Sequence, residues 1–265
     1  MIDIGVSTAC LYPLETEKSF ETLGKSGIGT TEIFFNALCE LSPKFIRQLK
    51  KIKDEYGMKV VSVHPTMSLA ESFMLFSAYA RRYDEGISQY KRYAEVAAEL
   101  GAEYIIMHGG KPNDVLDNYG YCERFARIAD AVKESGAQLL QENVVNYRAG
   151  NLEMLKYMAE TLDDVGFCID VKQSVRGGYS PFDALEAVSG HIRHLHISDH
   201  TAENDCMLPL RGNFDFAGFF KTADDLGYCG AAMIEVYRNA YKNTEEISES
   251  YRKLKNFYCG SEARK

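Results

Sequence analysis

The chain has 265 residues, 46% of them hydrophobic, and carries a formal net charge of −8 with a pI near 5.4. That is enough apolar material for one large core of the size typical of an α/β barrel, or for two smaller domains. The acidic balance counts against a long nucleic acid as partner, which asks for a basic surface, and no apolar run of about 18 residues is present for a membrane span.

The start of the chain goes straight into strand-like sequence without a basic-then-apolar leader, so a cytoplasmic protein is the expectation. Seven cysteines, odd in number and without a C-x-x-C pair, predict reduced packing or surface residues. Neither a disulfide framework nor a thiolate zinc site is indicated.

In chain order, a strand followed by a helix recurs eight times. Residues 4–8 read as a strand, 17–26 as a helix and 31–35 as the second strand. Ser42-Pro43 then opens an amphipathic helix with Phe45, Ile46, Leu49, Ile52 and Tyr56 on its apolar face and Gly57 as its stop. The third strand, 59–64, is followed by a long excursion whose second part, 84–100, is a helix ended by Gly101. The fourth strand, 104–108, turns immediately at Gly109-Gly110. A helix near 121–135 leads to the fifth strand, 138–142. Helix 151–162, strand 166–170, helix 181–189 and strand 192–198 come next. Helix 214–226, strand 231–235 and a closing helix over 244–258 complete the pattern, with 260–265 as a loose tail.

Such alternation implies right-handed βαβ units and a parallel sheet. Eight units without a linker or a shift in composition predict a closed (β/α)₈ TIM barrel, one domain over residues 1–265. A doubly wound open sheet is the alternative, but it would place a Gly-rich phosphate turn after the first strand. Ser7-Thr8-Ala9-Cys10 has no glycine there.

In such barrels the chemistry sits at the C-terminal strand ends, where the mouth opens. Strands three through eight end in His64, His108, Glu142, Asp170, His196 and Glu235. On the seventh strand, alternation puts His196 on one face with Ile192, His194 and Ser198, and puts Leu195 and Ile197 on the other. Likewise Tyr104 and Ile106 share the face of His108, Leu140 that of Glu142, Cys168 that of Asp170 and Met233 that of Glu235. The intervening Ile105, Met107, Phe167, Ile169, Ala232 and Ile234 suit a helix-facing side. All six metal-capable residues therefore point toward one axis. Converging carboxylates repel one another and resist ionisation, a penalty that a divalent cation removes. Glu142, Asp170, His196 and Glu235 form a hard, oxygen-rich set that favours Mn²⁺, Mg²⁺ or Co²⁺ and can also accept Zn²⁺. Four ligands on a six-coordinate ion leave two positions for water or for vicinal oxygens of a substrate.

These residues resemble the xylose isomerase-like barrels, a superfamily that includes tagatose-epimerase-like sugar epimerases and isomerases, inosose-processing enzymes and apurinic-site endonuclease IV. The matching stretches are Val63-His64-Pro65, Met107-His108-Gly109-Gly110, Gln141-Glu142-Asn143, Cys168-Ile169-Asp170, His194-Leu195-His196-Ile197-Ser198-Asp199 and Ile234-Glu235-Val236. Leu208-Pro209-Leu210-Arg211-Gly212-Asn213-Phe214-Asp215 and Leu226-Gly227-Tyr228-Cys229-Gly230 also look like the final repeat of that family. The resemblance implies one metal on Glu142, Asp170, His196 and Glu235. It also implies that Glu142 and Glu235 stand on opposite faces of the substrate and exchange its α-proton through an enediolate. The expected function is a metal-dependent sugar or polyol isomerase or epimerase with a small-molecule substrate. The alternatives are a phosphodiester hydrolase of the endonuclease IV type and an inosose dehydratase-like lyase.

The departures are informative. Where the family carries D-x-x-H, Asp170-Val171-Lys172-Gln173 has Gln173 in place of the histidine. The Asp-x-His pair of the endonucleases falls near Pro209 and Arg211, so all protein ligands of their third zinc are missing. His64 and His108 are open to three readings: substrate contact, a second metal shared with Glu142, or a structural role. Gln173 and Arg211 are further candidates for substrate binding, and Lys172 either faces the helices or reaches the mouth. The apolar region 65–83 either caps the mouth, meets a second subunit in a homo-oligomer, or forms a satellite cluster under the same barrel.

Overall fold

The computed structural model describes residues 2–65 and 68–262. Its elements are β1 (Asp3–Ser7), α1 (Thr16–Lys25), β2 (Thr30–Phe34), α2 (Pro43–Tyr56), β3 (Lys59–His64), α3 (Ser68–Leu75), α4 (Ala80–Leu100), β4 (Tyr104–Met107) and α5 (Asn118–Lys133). They continue as β5 (Gln138–Glu142), α6 (Leu152–Thr161), β6 (Gly166–Asp170), α7 (Val171–Arg176), α8 (Pro181–Ala187), β7 (Ile192–Ile197), α9 (Phe216–Asp225), β8 (Ala231–Ile234) and α10 (Thr244–Glu262). All neighbouring strands are parallel, and β8 pairs with β1, so the sheet closes into the predicted (β/α)₈ barrel. Gly57 and Gly101 stop α2 and α4 as expected, each in the left-handed conformation that a side chain would strain (φ 62° and 77°).

The sequence reading is corrected at several points. Residues 260–262 continue α10 instead of starting a tail, and 263–265 lie outside the described residues. A short helix, α7, follows β6 at once, because Asp170 accepts the Gln173 N–H at 2.9 Å and so caps the helix that its own strand runs into. Ile192 does not share the face of His196. The register between β6 and β7 slips after Phe167, which pairs with Ile192, whereas Cys168 pairs with His194. The extra residue turns Ile192 outward into the core shared with Leu195 and Ile197.

Strand alternation otherwise divides the side chains as expected. Ile105, Met107, Phe167, Ile169, Ala232 and Ile234 join the continuous core between sheet and helices. Inside the barrel, Ile106, Leu140 and Cys168 pack with Tyr104, while Val61, Ala231 and Met233 form a second apolar group. These residues make the floor beneath the mouth. A slip between β2 and β3 adjusts the layer above it: Thr31 pairs with Val60 but Glu32 with Ser62. Val61 and Ser62 thereby both reach the interior, one for the apolar floor and one as a partner for Glu32.

The excursion after β3 forms α3 and serves both core and rim. Leu75 and Phe76 are fully buried, and Phe76 stacks on Tyr121 at 4.6 Å. Phe73 and Tyr79 stay on the surface; residues 66–67 and the side chain of Leu69 lie outside the described residues. Glu71 is fully buried beside the mouth. It accepts the Tyr90 hydroxyl at 2.6 Å and the backbone N–H groups of His108 and Gly109 at 3.0 and 2.8 Å. This helix therefore fixes the turn that carries His108. Replacing Glu71 by Ala strands two backbone donors and a hydroxyl in a dry place, and the expected cost is about 3 kcal/mol. Urea unfolding should show that loss as a lower midpoint at unchanged slope.

Candidate active site

At the mouth a cavity of about 360 Å³ is lined by His64, His108, Glu142, Lys172, Gln173 and Glu235, with Phe34, Asn36, Tyr12 and Tyr237 among its walls. A groove of about 570 Å³ elsewhere on the barrel, lined by Glu103, Tyr104 and Arg193, is larger but gathers no ligand set among the described residues. Three overlapping ligand sets meet at the mouth among the described residues: Glu142, Asp170, His196 and Glu235; His64, His108 and Glu142; and, beneath them, Glu32, His194 and His196. Within each set one ligand atom per residue lies within 4.8 Å of all the others.

The floor of this site is organised by a residue that lies inside a strand and away from the strand ends. Glu32, in the middle of β2, is fully buried. Its carboxylate accepts Ser7 Oγ–H at 3.0 Å, Ser62 Oγ–H at 2.8 Å and the Nε2–H of His196 at 3.1 Å. Because the single hydroxyl proton of Ser62 goes to Glu32, His194 Nε2, 3.2 Å from Ser62 Oγ, carries its own proton. A proton on Nε2 of His196 leaves Nδ1 facing Glu142 Oε1 at 3.1 Å, Glu235 Oε2 at 3.6 Å and Asp170 Oδ2 at 3.9 Å. A bare nitrogen lone pair against three carboxylates is repulsive. The point between them calls for positive charge, from a second proton on the imidazole or from a metal ion. Glu142 Oε2 is buried without a hydrogen bond of proper geometry, although His108 Nε2 lies 3.0 Å away. Three carboxylates and one imidazole with a fixed tautomer fit a hard divalent cation.

Charge compensation governs the protonation states. Burial works against ionising Glu32, but the charge and hydrogen bond of His196, with the imidazole of His194 close by at 3.4 Å, hold its pKa well below the usual carboxylate range. Burial likewise opposes ionised Glu142, and His108, His196 and His64 outweigh it. Burial also opposes the ionised form of Glu235, whose pKa is lowered by Lys172 and His196. Asp170 is raised to about 6, by burial and the charges of Glu142 and Glu235, against the pull of Lys172. Burial works against charge on His64, yet the carboxylate of Glu142, 3.5 Å from its Nε2, and the charges of Glu32 and Glu235 push it up to about 9.

The structure brings together His64, His108, Glu142, Asp170, His196 and Glu235, as the strand ends suggest. His64 and His108 approach Nε2 to Nε2 at 3.1 Å, and His64 Nδ1 lies 3.1 Å from Pro65 O. Gln173 lines the cavity, while its side-chain oxygen accepts the Val145 N–H at 3.2 Å. Arg211 is not brought in: its guanidinium pairs with Glu246 on α10, and its backbone N–H donates to Asp199. Lys172 reaches the mouth and binds Asp170 and Glu235. Glu32 did leave a signal in the sequence, an acid set among apolar strand residues in Thr31-Glu32-Ile33-Phe34. An acid there is costly unless it is partnered.

Two outcomes follow for the protein in solution. Glu32→Gln replaces an obligate acceptor by a group that can also donate, so the imidazole of His196 is free to turn its proton toward the ligand set. Mn²⁺ affinity, measured by calorimetry, should fall about ten- to a hundred-fold, and Glu32→Asp should recover part of it. The second concerns pH. The pKa of His64 is raised on folding, so its contribution to the stability of the metal-free protein is complete below its unfolded value near 6.5 and is lost as pH rises through about 9. The thermal midpoint of metal-free protein should drop across that window, and His64→Gln should flatten the drop.

A family model described as xylose isomerase-like TIM barrel matches residues 20–257. Among curated proteins, uncharacterized protein MJ1311 of Methanocaldococcus jannaschii is 25% identical over 263 residues, covering 92% of this chain and 88% of its own. Among solved structures, a D-tagatose 3-epimerase-like protein superposes with a TM-score of 0.81 at 21% identity, covering 99% of each chain. D-psicose 3-epimerase of Clostridium cellulolyticum H10, solved with D-tagatose, gives 0.79 at 16% identity over 97% of this chain and 98% of its own. The 3-keto-D-glucoside 4-epimerase YcjR of E. coli gives 0.77 at 17% identity over 97% of this chain and 100% of its own. These structural likenesses carry the fold, and the family model carries the membership: the chain belongs to the xylose isomerase-like TIM barrel family.

Proposed function

We propose that this barrel is a metal-dependent epimerase or isomerase of sugars or polyols that works by proton transfer between Glu142 and Glu235. The observation that carries the reading is the convergence of Glu142, Asp170, His196 and Glu235 at the edge of a cavity large enough for a small polar molecule. The names of the structural neighbours, epimerases acting on sugars or keto-glucosides, support a substrate of the same class.

A divalent ion on the four residues supplies electrophilic polarisation of a carbonyl and its neighbouring hydroxyl. The chain's own residues do the rest. Glu142 ends β5 and Glu235 follows β8, so the two enter the mouth from either side of β6 and β7. Both have their pKa lowered, so either can serve as the proton acceptor. One ionised glutamate takes the C–H proton next to the carbonyl and leaves an enediolate; the other, entering the cycle with one proton taken up from solvent, gives it to the opposite face and is left ionised, so the pair exchanges roles at each turnover. Return to the same carbon gives an epimer, and return to its neighbour gives an aldose–ketose isomer. His64 and His108 line the same cavity and donate to or accept from substrate oxygens. Phe34 and Tyr237 supply ring faces against which the carbon skeleton of a substrate can lie.

The test is solvent exchange. Incubated in D₂O with a panel of ketoses and inososes, the loaded protein should place deuterium on the carbon next to the carbonyl of a true substrate. Glu235→Gln keeps a ligating oxygen but removes the base, and the rate should fall about 10²–10⁴-fold, or roughly 3–5.5 kcal/mol in barrier. Asp170→Asn should act mainly through metal affinity, so excess ion restores part of its activity. Product formed at partial conversion without any solvent label would reject the proton-transfer pair in favour of a hydride shift.

A further inference from the structure

Lys172 is the charged group in the mouth that proton transfer between the glutamates leaves without a task. It sits in the first turn of α7, the helix capped by Asp170, and its side chain is only 2% exposed. Its ammonium donates to Asp170 Oδ2 at 2.5 Å and to Glu235 Oε2 at 3.0 Å. Those are the same two oxygens that face His196 Nδ1 at 3.9 and 3.6 Å. Among the described residues no other lysine or arginine ion-pairs with Glu142, Asp170 or Glu235. The ammonium is therefore placed on the lone pairs that a divalent ion would draw upon. Two cations sharing one pair of oxygens repel, and they repel more strongly where little water screens them.

We propose that Lys172 is a resident cation that competes with the divalent ion for Asp170 and Glu235, so that metal uptake displaces its ammonium into the mouth cavity. This rests on the metal-dependent reading above. In the metal-free barrel the lysine keeps the two carboxylates partnered, so the site stays formed without an ion. Its displacement sets the metal affinity below what four ligands alone would give. It also presents ammonium hydrogens to the cavity that Lys172 already lines, where an oxygen-rich substrate offers acceptors.

The test compares Mn²⁺ binding, read from the loss of the free-ion electron paramagnetic resonance signal, by wild type, Lys172→Met and Lys172→Arg. Lys172→Met should bind at least tenfold tighter than wild type, and Lys172→Arg, which keeps the charge, should stay within a few-fold of it. A second readout uses wild-type protein alone. Acylation by an amine-reactive ester, quantified by peptide mass spectrometry, should leave Lys172 protected without metal and label it several-fold more with Mn²⁺ bound. Labelling of exposed Lys221 should not change. Equal or weaker Mn²⁺ binding by Lys172→Met overturns the competition and leaves the metal reading standing. Absence of Mn²⁺ binding by both proteins overturns both. Should Lys172→Met fail to fold, the labelling decides: Lys172 equally protected with and without bound Mn²⁺ rejects the proposal.

Discussion

Four carboxylates, those of Glu32, Glu142, Asp170 and Glu235, are enclosed in the mouth-side part of one barrel, and this burial is what the surrounding structure has to accommodate. A carboxylate removed from water costs several kcal/mol unless hydrogen bonds and opposite charge replace its hydration. Each of the four has such replacements, and most come from residues that serve a second purpose. Ser7 and Ser62 donate to Glu32, His196 bridges Glu32 and Glu142, and Lys172 bridges Asp170 and Glu235. Asp170 in turn caps the helix on which Lys172 stands. Removing any one of these donors leaves a charge exposed to its neighbours rather than to water.

The same constraint explains how the barrel is layered. A wholly apolar interior would pack well but hold no chemistry; a wholly polar one would have no floor. Ile106, Leu140 and Cys168, together with Val61, Ala231 and Met233, form the apolar floor, and the charged layer rests above it. Gly5 fits this floor because a Cβ there would come within 2.6 Å of the Met233 sulfur and of the Thr30 carbonyl oxygen. The two register slips, at β2/β3 and β6/β7, adjust the alternation where floor and charged layer meet. Stability is drawn largely from the outer core between sheet and helices, which leaves the interior of the mouth free to be polar.

The fold was legible because eight strand–helix units repeat with clear stops, and a closed parallel barrel is the natural way to bury strands of that kind. The six strand-end residues were legible for a related reason: strict alternation carries a side chain's direction from the apolar residues before it. What escaped depended on contacts between distant parts of the chain. Glu32 sits within β2, and its meaning lies in Ser7, Ser62 and His196, which are 25, 30 and 164 residues away. The outward turn of Ile192 follows from a slip that only strand pairing reveals. Arg211 is a candidate for substrate binding from sequence, but Glu246 on α10 claims its guanidinium. The helix α3 hid in an apolar stretch whose purpose, placing Glu71 under His108, requires the packed structure to be seen.

The central claim is that one divalent ion belongs at the junction of Glu142, Asp170, His196 and Glu235. Elemental analysis of protein purified without chelator, joined to anomalous diffraction from a crystal equilibrated with Mn²⁺ or Co²⁺, addresses it directly. The account predicts one ion per chain, bound by all four of these residues. An ion held by His64 and His108 without Glu235, or no ion at saturating Mn²⁺ or Co²⁺, would contradict it.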